Sequence, residues 1–444
     1  MTYDEALAWL DGLLNYERTA IPYAEIKLAR IQTLLERLGD PHRHLRTVLV
    51  AGTKGKGSTA AILCAILRAA GERVGLYSKP HLVDYRERIR VDGAFIPAEA
   101  LTELIAAVRP TVEAGAQDPW GPPTYFEVSV ALALLYFLHE GVDRAVLEVG
   151  IGGRLDATNV CDPELSIITP ISYDHTDVLG HTLTQIATEK AGIIRPGRPV
   201  VSAPQPEEAR AVIVEVCEQL GAQWVEVGRE TSYAVEQMGL GGVEFTVTTP
   251  SRRYQGLHLP LLGRHQALNA AVALTAAEIL LGRRRLDADA VQKELAHLEW
   301  PAREELLSRR PAVLVDVAHN PASIAALRAT LEELFAGRRV VLLLGMIATH
   351  DPDPVAAIIA PVADEVITTT PLHLRPLVAY ELAEVVRRYH HRVEAVPELD
   401  EALGAALGRT SPEDVLVVAG SFFLAGPARE RLLRRLLPNT PRAV

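Results

Sequence analysis

Apolar residues recur along this chain in two lengths. Short β-branched runs, each closed by glycine or a polar turn, alternate with longer stretches rich in Ala and Leu that repeat every three or four residues. The short runs predict buried strands over 48–50, 74–78, 145–149, 166–170 and 199–202. The longer ones predict helices over 3–14, 26–38, 59–70, 97–108, 124–139 and 186–192. Residues 223–260 change character. Alternating runs at 243–248 and 254–259 predict a small antiparallel excursion there. A long alanine-rich helix then runs from the Gly263-Arg264-His265 start to Leu281, and a helix over 287–298 meets a boundary at Trp300-Pro301. Beyond it the alternation resumes, with strands at 313–317, 340–344, 365–369 and 415–419 and helices at 321–335, 354–359, 380–389 and 400–407. Such alternation predicts an α/β fold with a mostly parallel sheet, and 302–444 forms a second doubly wound block.

The first strand leads into Gly52-Thr53-Lys54-Gly55-Lys56-Gly57-Ser58 and then into helix, with Thr59 opening it. Strand, glycine loop and helix are the context of a phosphate-binding loop. Its glycines let backbone N–H groups face anionic oxygens, and the helix N-terminus adds partial positive charge. Lys56 can reach the terminal phosphates and Ser58 offers a hydroxyl to Mg²⁺. The spacing departs from the common loop, with two residues between Gly52 and Gly55 and with Gly57 between the lysine and the hydroxyl. The bland alternative is a tight turn with surface lysines.

Composition narrows the function. With 444 residues, 48% of them hydrophobic, the chain suffices for two or three well-buried domains. A net charge of −11 argues against nucleic acid as the main partner. The start lacks a basic n-region, so no signal peptide is expected, and the most apolar stretch, 128–138, is too short to span a bilayer. Cys64, Cys161 and Cys217 are far apart, show no metal spacing and suit a reducing cytoplasm.

Other polar residues stand at expected strand ends, where open α/β sheets gather ligands. Glu148 ends an apolar strand, and a buried carboxylate there requires a metal ion or a cation such as Arg154; the metal is the stronger reading. His175 follows a strand beside Asp174. Mg²⁺ prefers oxygen, so chemistry alone reads it as a hydrogen-bonded turn histidine. Spacing alone reads Lys190 as a solvated helix lysine. Asp316, in Asp316-Val317-Ala318-His319-Asn320-Pro321, can accept from a ribose or cap the next helix, a role Asn320 serves better. Gly420-Ser421 can contact a ligand or simply turn the chain.

Together these stretches resemble the folylpolyglutamate synthase/dihydrofolate synthase family of the Mur ligase superfamily. The ordered motifs are Gly52–Ser58, Pro80-His81-Leu82 with Glu87-Arg88-Ile89, Thr124–Glu127, Glu148–Asn159, Asp174-His175 with Gly180, Glu189-Lys190-Ala191-Gly192, His265-Gln266 with Asn269, Trp300–Arg303 and Asp316–Pro321. The resemblance implies a P-loop ATPase domain over 1–298, a hinge at 299–303 and a smaller Rossmann-like glutamate-ligase domain over 304–444, with the active site between them. It implies ATP-dependent addition of L-glutamate to tetrahydrofolate through an acyl phosphate, with dihydropteroate left open as a second acceptor.

By the same resemblance, Gly52, Thr53, Lys54, Gly55, Lys56, Gly57, Ser58, Thr59, Asn269, Arg303 and Asp316 contact ATP. Ser58, Glu148 and His175 hold one Mg²⁺, and Lys190, if carbamylated, a second; a K⁺ ion is also admitted. Lys56, Lys190 and His319 are the catalytic candidates. His81, Phe126, Asp156, His319 and Ser421 face the folate, pterin or glutamate, with Phe126 and Asp156 on the pterin side in members that use dihydropteroate. A cytoplasmic monomer follows, with small-molecule substrates and neither membrane nor nucleic acid. The chain departs from the family's pattern at Lys54, Lys79 and Ala302, and loosely at Met346–Asp351, which bears on specificity more than on ATP chemistry. A ligase of UDP-linked muramyl peptides would need a further domain before the phosphate loop, for which some fifty residues leave no room. A GTPase switch would need an Asn-Lys-x-Asp motif, which is absent.

Overall fold

The first sheet is arranged around β1 (Thr47–Ala51), buried along its whole length because helices cover both faces. In the computed structural model, which describes residues 1–15, 27–282 and 286–436, the same sheet contains β2 (Val74–Tyr77), β3 (Ile89–Val91), β4 (Ala94–Phe95), β5 (Arg144–Glu148), β6 (Leu165–Ile168), β7 (Val200–Ser202) and β8 (Trp224–Glu226). Their order is β4-β3-β2-β5-β1-β6-β7-β8. β1 runs parallel to β5 and β6, whereas β3 and β4 add an antiparallel edge beyond β2. The chain leaves β1 toward β2 and later crosses from β5 to β6 on the other side. This reversal opens a crevice beyond the carboxyl end of β1, the usual place for a ligand in such sheets.

Three further strands, β9 (Ser232–Gly239), β10 (Gly242–Thr248) and β11 (Arg253–Leu259), form a sheet of order β11-β10-β9. A six-stranded sheet follows from β12 (Glu305–Arg309), β13 (Ala312–Val315), β14 (Val340–Leu344), β15 (Glu365–Thr368), β16 (Val393–Ala395) and β17 (Val415–Ala419). Its order is β12-β13-β17-β14-β15-β16, with only β12 antiparallel to its neighbour. The chain divides into two compact units, one of Met1–Ala234, Phe245–His258 and Ala267–Leu298, the other of Val235–Glu244, Leu259–Gln266 and Glu299–Val444.

Several boundaries differ from the sequence expectation. The helix after β1 spans Lys56–Ala69 and so begins three residues before Thr59, because Gly55, in the left-handed region at φ 76°, is its N-cap. The long apolar helix is Tyr125–His139. Thr124 caps it, accepting from Glu127 N–H while the Glu127 carboxylate accepts from Thr124 N–H. Helix Ala98–Ala114 runs past the expected end at 108 and carries Pro110 within it. Ile26, the expected first residue of the second helix, and residues 437–444 of the second block lie outside the described residues. Among the described residues no helix is long and apolar enough to cross a membrane.

Candidate functional site

In the first unit the phosphate loop is pinned from below. Thr53 N–H and Lys54 N–H donate to the Pro170 carbonyl at 3.0 and 3.2 Å. The Thr53 hydroxyl donates to the Ser172 carbonyl at 3.0 Å and accepts from Ser172 N–H at 3.1 Å. Gly52 lies against Thr169 and Gly55 against Asn269 so closely that a Cβ on either would overlap the neighbouring side chain. Helix Lys56–Ala69 has no side-chain cap. Its first-turn N–H groups and positive end therefore face the loop that Gly52–Gly55 forms.

Two lysines meet at this loop. Lys56 Nζ donates to the Gly52 carbonyl at 3.1 Å, and Lys190 Nζ donates to the same oxygen at 2.8 Å. The reading of Lys190 as a solvated helix lysine is corrected here: it is 4% exposed. Burial, and then the Lys56 charge, lower its pKa to about 7. Lys54 lies 3.7 Å from the Asp174 carboxylate, a partner that no sequence spacing announced.

Around the loop, Ser58 and Thr59 are buried in the first helical turn, and Thr59 Oγ1 contacts Asn269 Oδ1 at 3.4 Å. Glu148 ends β5, in register with Val50 of β1, and is 6% exposed. One of its oxygens accepts from Lys79 N–H at 3.3 Å. Arg154, offered above as a salt-bridge partner for Glu148, pairs with Glu189 at 2.8 Å. His175 caps the short helix Thr176–Leu179 with its own backbone at φ 49°, and its exposed ring stands 4.0 Å from Asp174.

Among the described residues no group of three His, Cys, Asp or Glu side chains could hold a metal ion. One buried hydroxyl and one buried carboxylate, Ser58 and Glu148, still suit Mg²⁺. That ion commonly takes one or two protein oxygens and fills its remaining positions with water and phosphate.

Farther along the crevice, His81 Nδ1 accepts from Arg88 Nε at 2.8 Å, which places the proton of a neutral His81 on Nε2. Phe126 is buried against Tyr125 in an edge-on contact. Asp156 caps the turn Ala157–Val160.

In the second unit the candidates gather at the carboxyl ends of neighbouring strands β13, β17 and β14. Asp316 follows β13, and its two oxygens accept from Glu304 N–H at 2.7 Å and Ala318 N–H at 2.6 Å. The helix cap is Asn320, with Pro321 at the first helical position. His319 Nδ1 lies 2.8 Å from the Val317 carbonyl, which can only accept, so Nδ1 carries the proton. The His319 ring stacks on His350 at 4.8 Å. The Arg303 guanidinium lies 4.8 Å from the centre of the Phe422 ring. Ser421 follows β17 and its hydroxyl oxygen accepts from Phe423 N–H at 3.1 Å. That leaves the hydroxyl hydrogen to donate.

Sequence reasoning missed Glu304 and His350. Glu304 is buried beside Asp316, and both effects raise its pKa well above the usual carboxylate range. A charged residue two places before Leu306-Leu307 gave no warning of it.

Models of two domains match this chain: the Mur ligase middle domain over residues 97–277 and the Mur ligase, glutamate ligase domain, over 302–422. Folylpolyglutamate synthase of Lacticaseibacillus casei is 35% identical over 440 residues, covering 98% of this chain and 99% of that protein. The chain belongs to the folylpolyglutamate synthase/dihydrofolate synthase family of the Mur ligase superfamily. It is an ATP-dependent glutamate ligase, as the members of this family are.

Folylpolyglutamate synthase of Mycobacterium tuberculosis, solved in complex with ADP, superposes with a TM-score of 0.89 at 32% identity, covering 99% of each chain. A structure of the Escherichia coli protein in complex with DHPP and ADP gives 0.86 at 32% identity, covering 98% of this chain and 99% of that one. A longer relative, a probable bifunctional folylpolyglutamate synthase/dihydropteroate synthase of Haloferax volcanii, is 36% identical over the whole chain, which spans about half (52%) of its length.

Proposed function

We propose that the chain joins the amine of L-glutamate to a carboxylate of a reduced folate while ATP is cleaved to ADP and phosphate. The observation that carries this reading is the meeting of Lys56 and Lys190 at the Gly52 carbonyl, in the glycine loop that opens helix Lys56–Ala69. A carboxylate oxygen of the folate attacks the γ-phosphorus, the bond to the bridging oxygen breaks, and ADP leaves. The amine then attacks the acyl carbon, the carbon–oxygen bond to phosphate breaks, and the amine loses a proton. Lys56 and the first-turn N–H groups of helix Lys56–Ala69 offset the charge that builds on the transferring phosphoryl group.

Ser58 and Glu148 are the residues that would hold Mg²⁺, with His175 the third candidate. Bound there, the ion would neutralise phosphate charge. Lys190 can attack CO₂ as a neutral amine, forming an N–C bond and losing a proton. The resulting carbamate would supply anionic oxygens for a second Mg²⁺. A K⁺ ion enters as a monovalent cofactor with no residue assigned. Asn269 belongs with the nucleotide on its position against Gly55, and Arg303 and Asp316 join it by resemblance. His319 and Ser421 face glutamate, Ser421 with its hydroxyl hydrogen left to donate. The free thiols Cys64, Cys161 and Cys217, all buried, fit a cytoplasmic protein, and we take it to be a monomer.

The test is phosphate release by the purified protein with Mg-ATP, crossing glutamate with tetrahydrofolate or dihydropteroate. Release that requires both glutamate and a folate supports the reading. Release that ignores either one overturns it.

A further inference from the structure

Lys54 and Asp174 come from neighbouring loops of the first unit. β1 and β6 are parallel, with Ala51 opposite Ile168, so the chain after each strand leaves the same end of the sheet. Lys54 Nζ lies 3.7 Å from Asp174 Oδ2. The other Asp174 oxygen accepts from His175 N–H at 3.0 Å. The Lys54 side chain is 22% exposed and that of Asp174 11%.

The backbone of Lys54 is fixed. Its N–H donates to the Pro170 carbonyl at 3.2 Å, and Gly55, next in the chain, caps the following helix from the left-handed region. The ammonium rides on a flexible four-carbon stem that can turn without moving the loop. At 3.7 Å its contact with Asp174 is longer than a hydrogen bond, and a partly exposed ion contact of this kind is worth little. The terminal phosphates of a nucleotide carry more charge than one carboxylate. They approach the same loop, where Lys56 Nζ and Lys190 Nζ both reach the Gly52 carbonyl. The Lys54 charge is felt there: burial and then Lys56 lower the Lys190 pKa most, and Lys54 adds to them against Asp174.

We propose that Lys54 is a second phosphate-binding ammonium beside Lys56, for which Asp174 competes with the terminal phosphates of the nucleotide. The inference rests on the nucleotide being held at this loop and not on the identity of the acceptor. It gives a use to a position where the chain departs from the family's pattern.

Calorimetric titration with the ATP analogue AMPPCP in EDTA tests it, comparing the wild type, Lys54→Gln, Lys54→Arg, Asp174→Asn and the double variant of Lys54→Gln with Asp174→Asn. Without a divalent ion the protein's own groups must neutralise the phosphates. Lys54→Gln should therefore weaken binding by about tenfold, and Lys54→Arg, which keeps the charge, by less than about threefold. Asp174→Asn should tighten binding by about threefold when Lys54 is present and have no effect in Lys54→Gln, the coupling expected if Asp174 acts through Lys54. If Lys54→Gln does not fold, Lys54→Met takes its place. Binding by Lys54→Gln within about threefold of the wild type overturns the inference, as does Lys54→Arg losing as much as Lys54→Gln. An Asp174→Asn effect that does not depend on Lys54 also overturns it, and so does a wild type that binds AMPPCP only with Mg²⁺. A wild type that binds no nucleotide with or without Mg²⁺ overturns the nucleotide reading of the loop itself, and the Lys54 inference with it.

Discussion

Lys56 and Lys190 place their ammonium groups on one acceptor, the Gly52 carbonyl oxygen, at 3.1 and 2.8 Å. Two cations cannot crowd one oxygen without cost, and the buried member yields. The Lys190 pKa falls to about 7 from the ordinary 10.5, first through burial and then through the Lys56 charge. Between these values the unfolded chain holds a proton that the folded chain lacks, so stability rises with pH from about 7 to 10.5. The penalty is fully present below pH 7. Lys190→Met should flatten that part of the profile, by a few kcal/mol across the window. Urea unfolding in EDTA at pH 7, 8.5 and 10, compared between wild type and variant, checks it.

The same neutral amine makes Lys190 reactive toward CO₂. Incubation with ¹³C-bicarbonate should give a carbamate resonance in the wild type and none in Lys190→Arg, whose side chain stays protonated. A wild-type spectrum without that resonance, under conditions that support turnover, removes the carbamate from the account.

Lys56 is assigned to the moving phosphoryl group, not to binding as such. Lys56→Ala should therefore lower kcat by about 10²-fold or more and change KM for ATP much less. Steady-state kinetics at saturating glutamate and folate test this. Equal effects on both constants would move Lys56 to ground-state binding.

Gly52 has φ +142°, and a Cβ there would overlap Thr169 Oγ1 and crowd the Thr169 carbonyl. Gly52→Ala should push β1 away from the β6 loop and weaken nucleotide binding at least tenfold, a loss on the order of 1.4 kcal/mol. Calorimetric titration with ADP reads it directly.

Glu304 gives a second pH signature of opposite sign. Its carboxyl is held protonated by burial and by Asp316, so the folded chain keeps a proton that the unfolded chain loses above the ordinary carboxylate range. Stability from this group is fully present below that range and falls as pH rises. Glu304→Gln should raise the melting temperature at pH 8 and leave it unchanged at pH 4.

The strands were the most legible part of the sequence. β14 and β17 have the expected bounds because Val-Val-Leu-Leu-Leu and Val-Leu-Val-Val-Ala are unbroken apolar runs, each ending at glycine. The helix Phe422–Leu436 was not foreseen, since Gly426-Pro427 reads as a break. Packing of its buried face, Leu424, Ala425, Ala428 and Leu432, overrides that local signal. β12 was missed because it is a partly polar antiparallel edge strand. At the site, the glycine loop that opens a helix and the burial of Glu148 at a strand end followed from spacing and burial logic. Lys190 did not, since nothing in its neighbours reveals that its helix faces the loop. Lys79 was visible as a departure, but its place beside Gly150 and Asp156 depends on the adjacency of β2 and β5, which join residues far apart in the chain.

In the proposed reaction the acceptor carboxylate attacks ATP. Tetrahydrofolate labelled with ¹⁸O in its carboxylates, turned over with Mg-ATP and glutamate, tests this most directly through the mass of the released phosphate. One ¹⁸O atom is expected to pass from the acceptor into each phosphate. Phosphate without ¹⁸O, from a reaction that still forms the glutamyl amide, would contradict it.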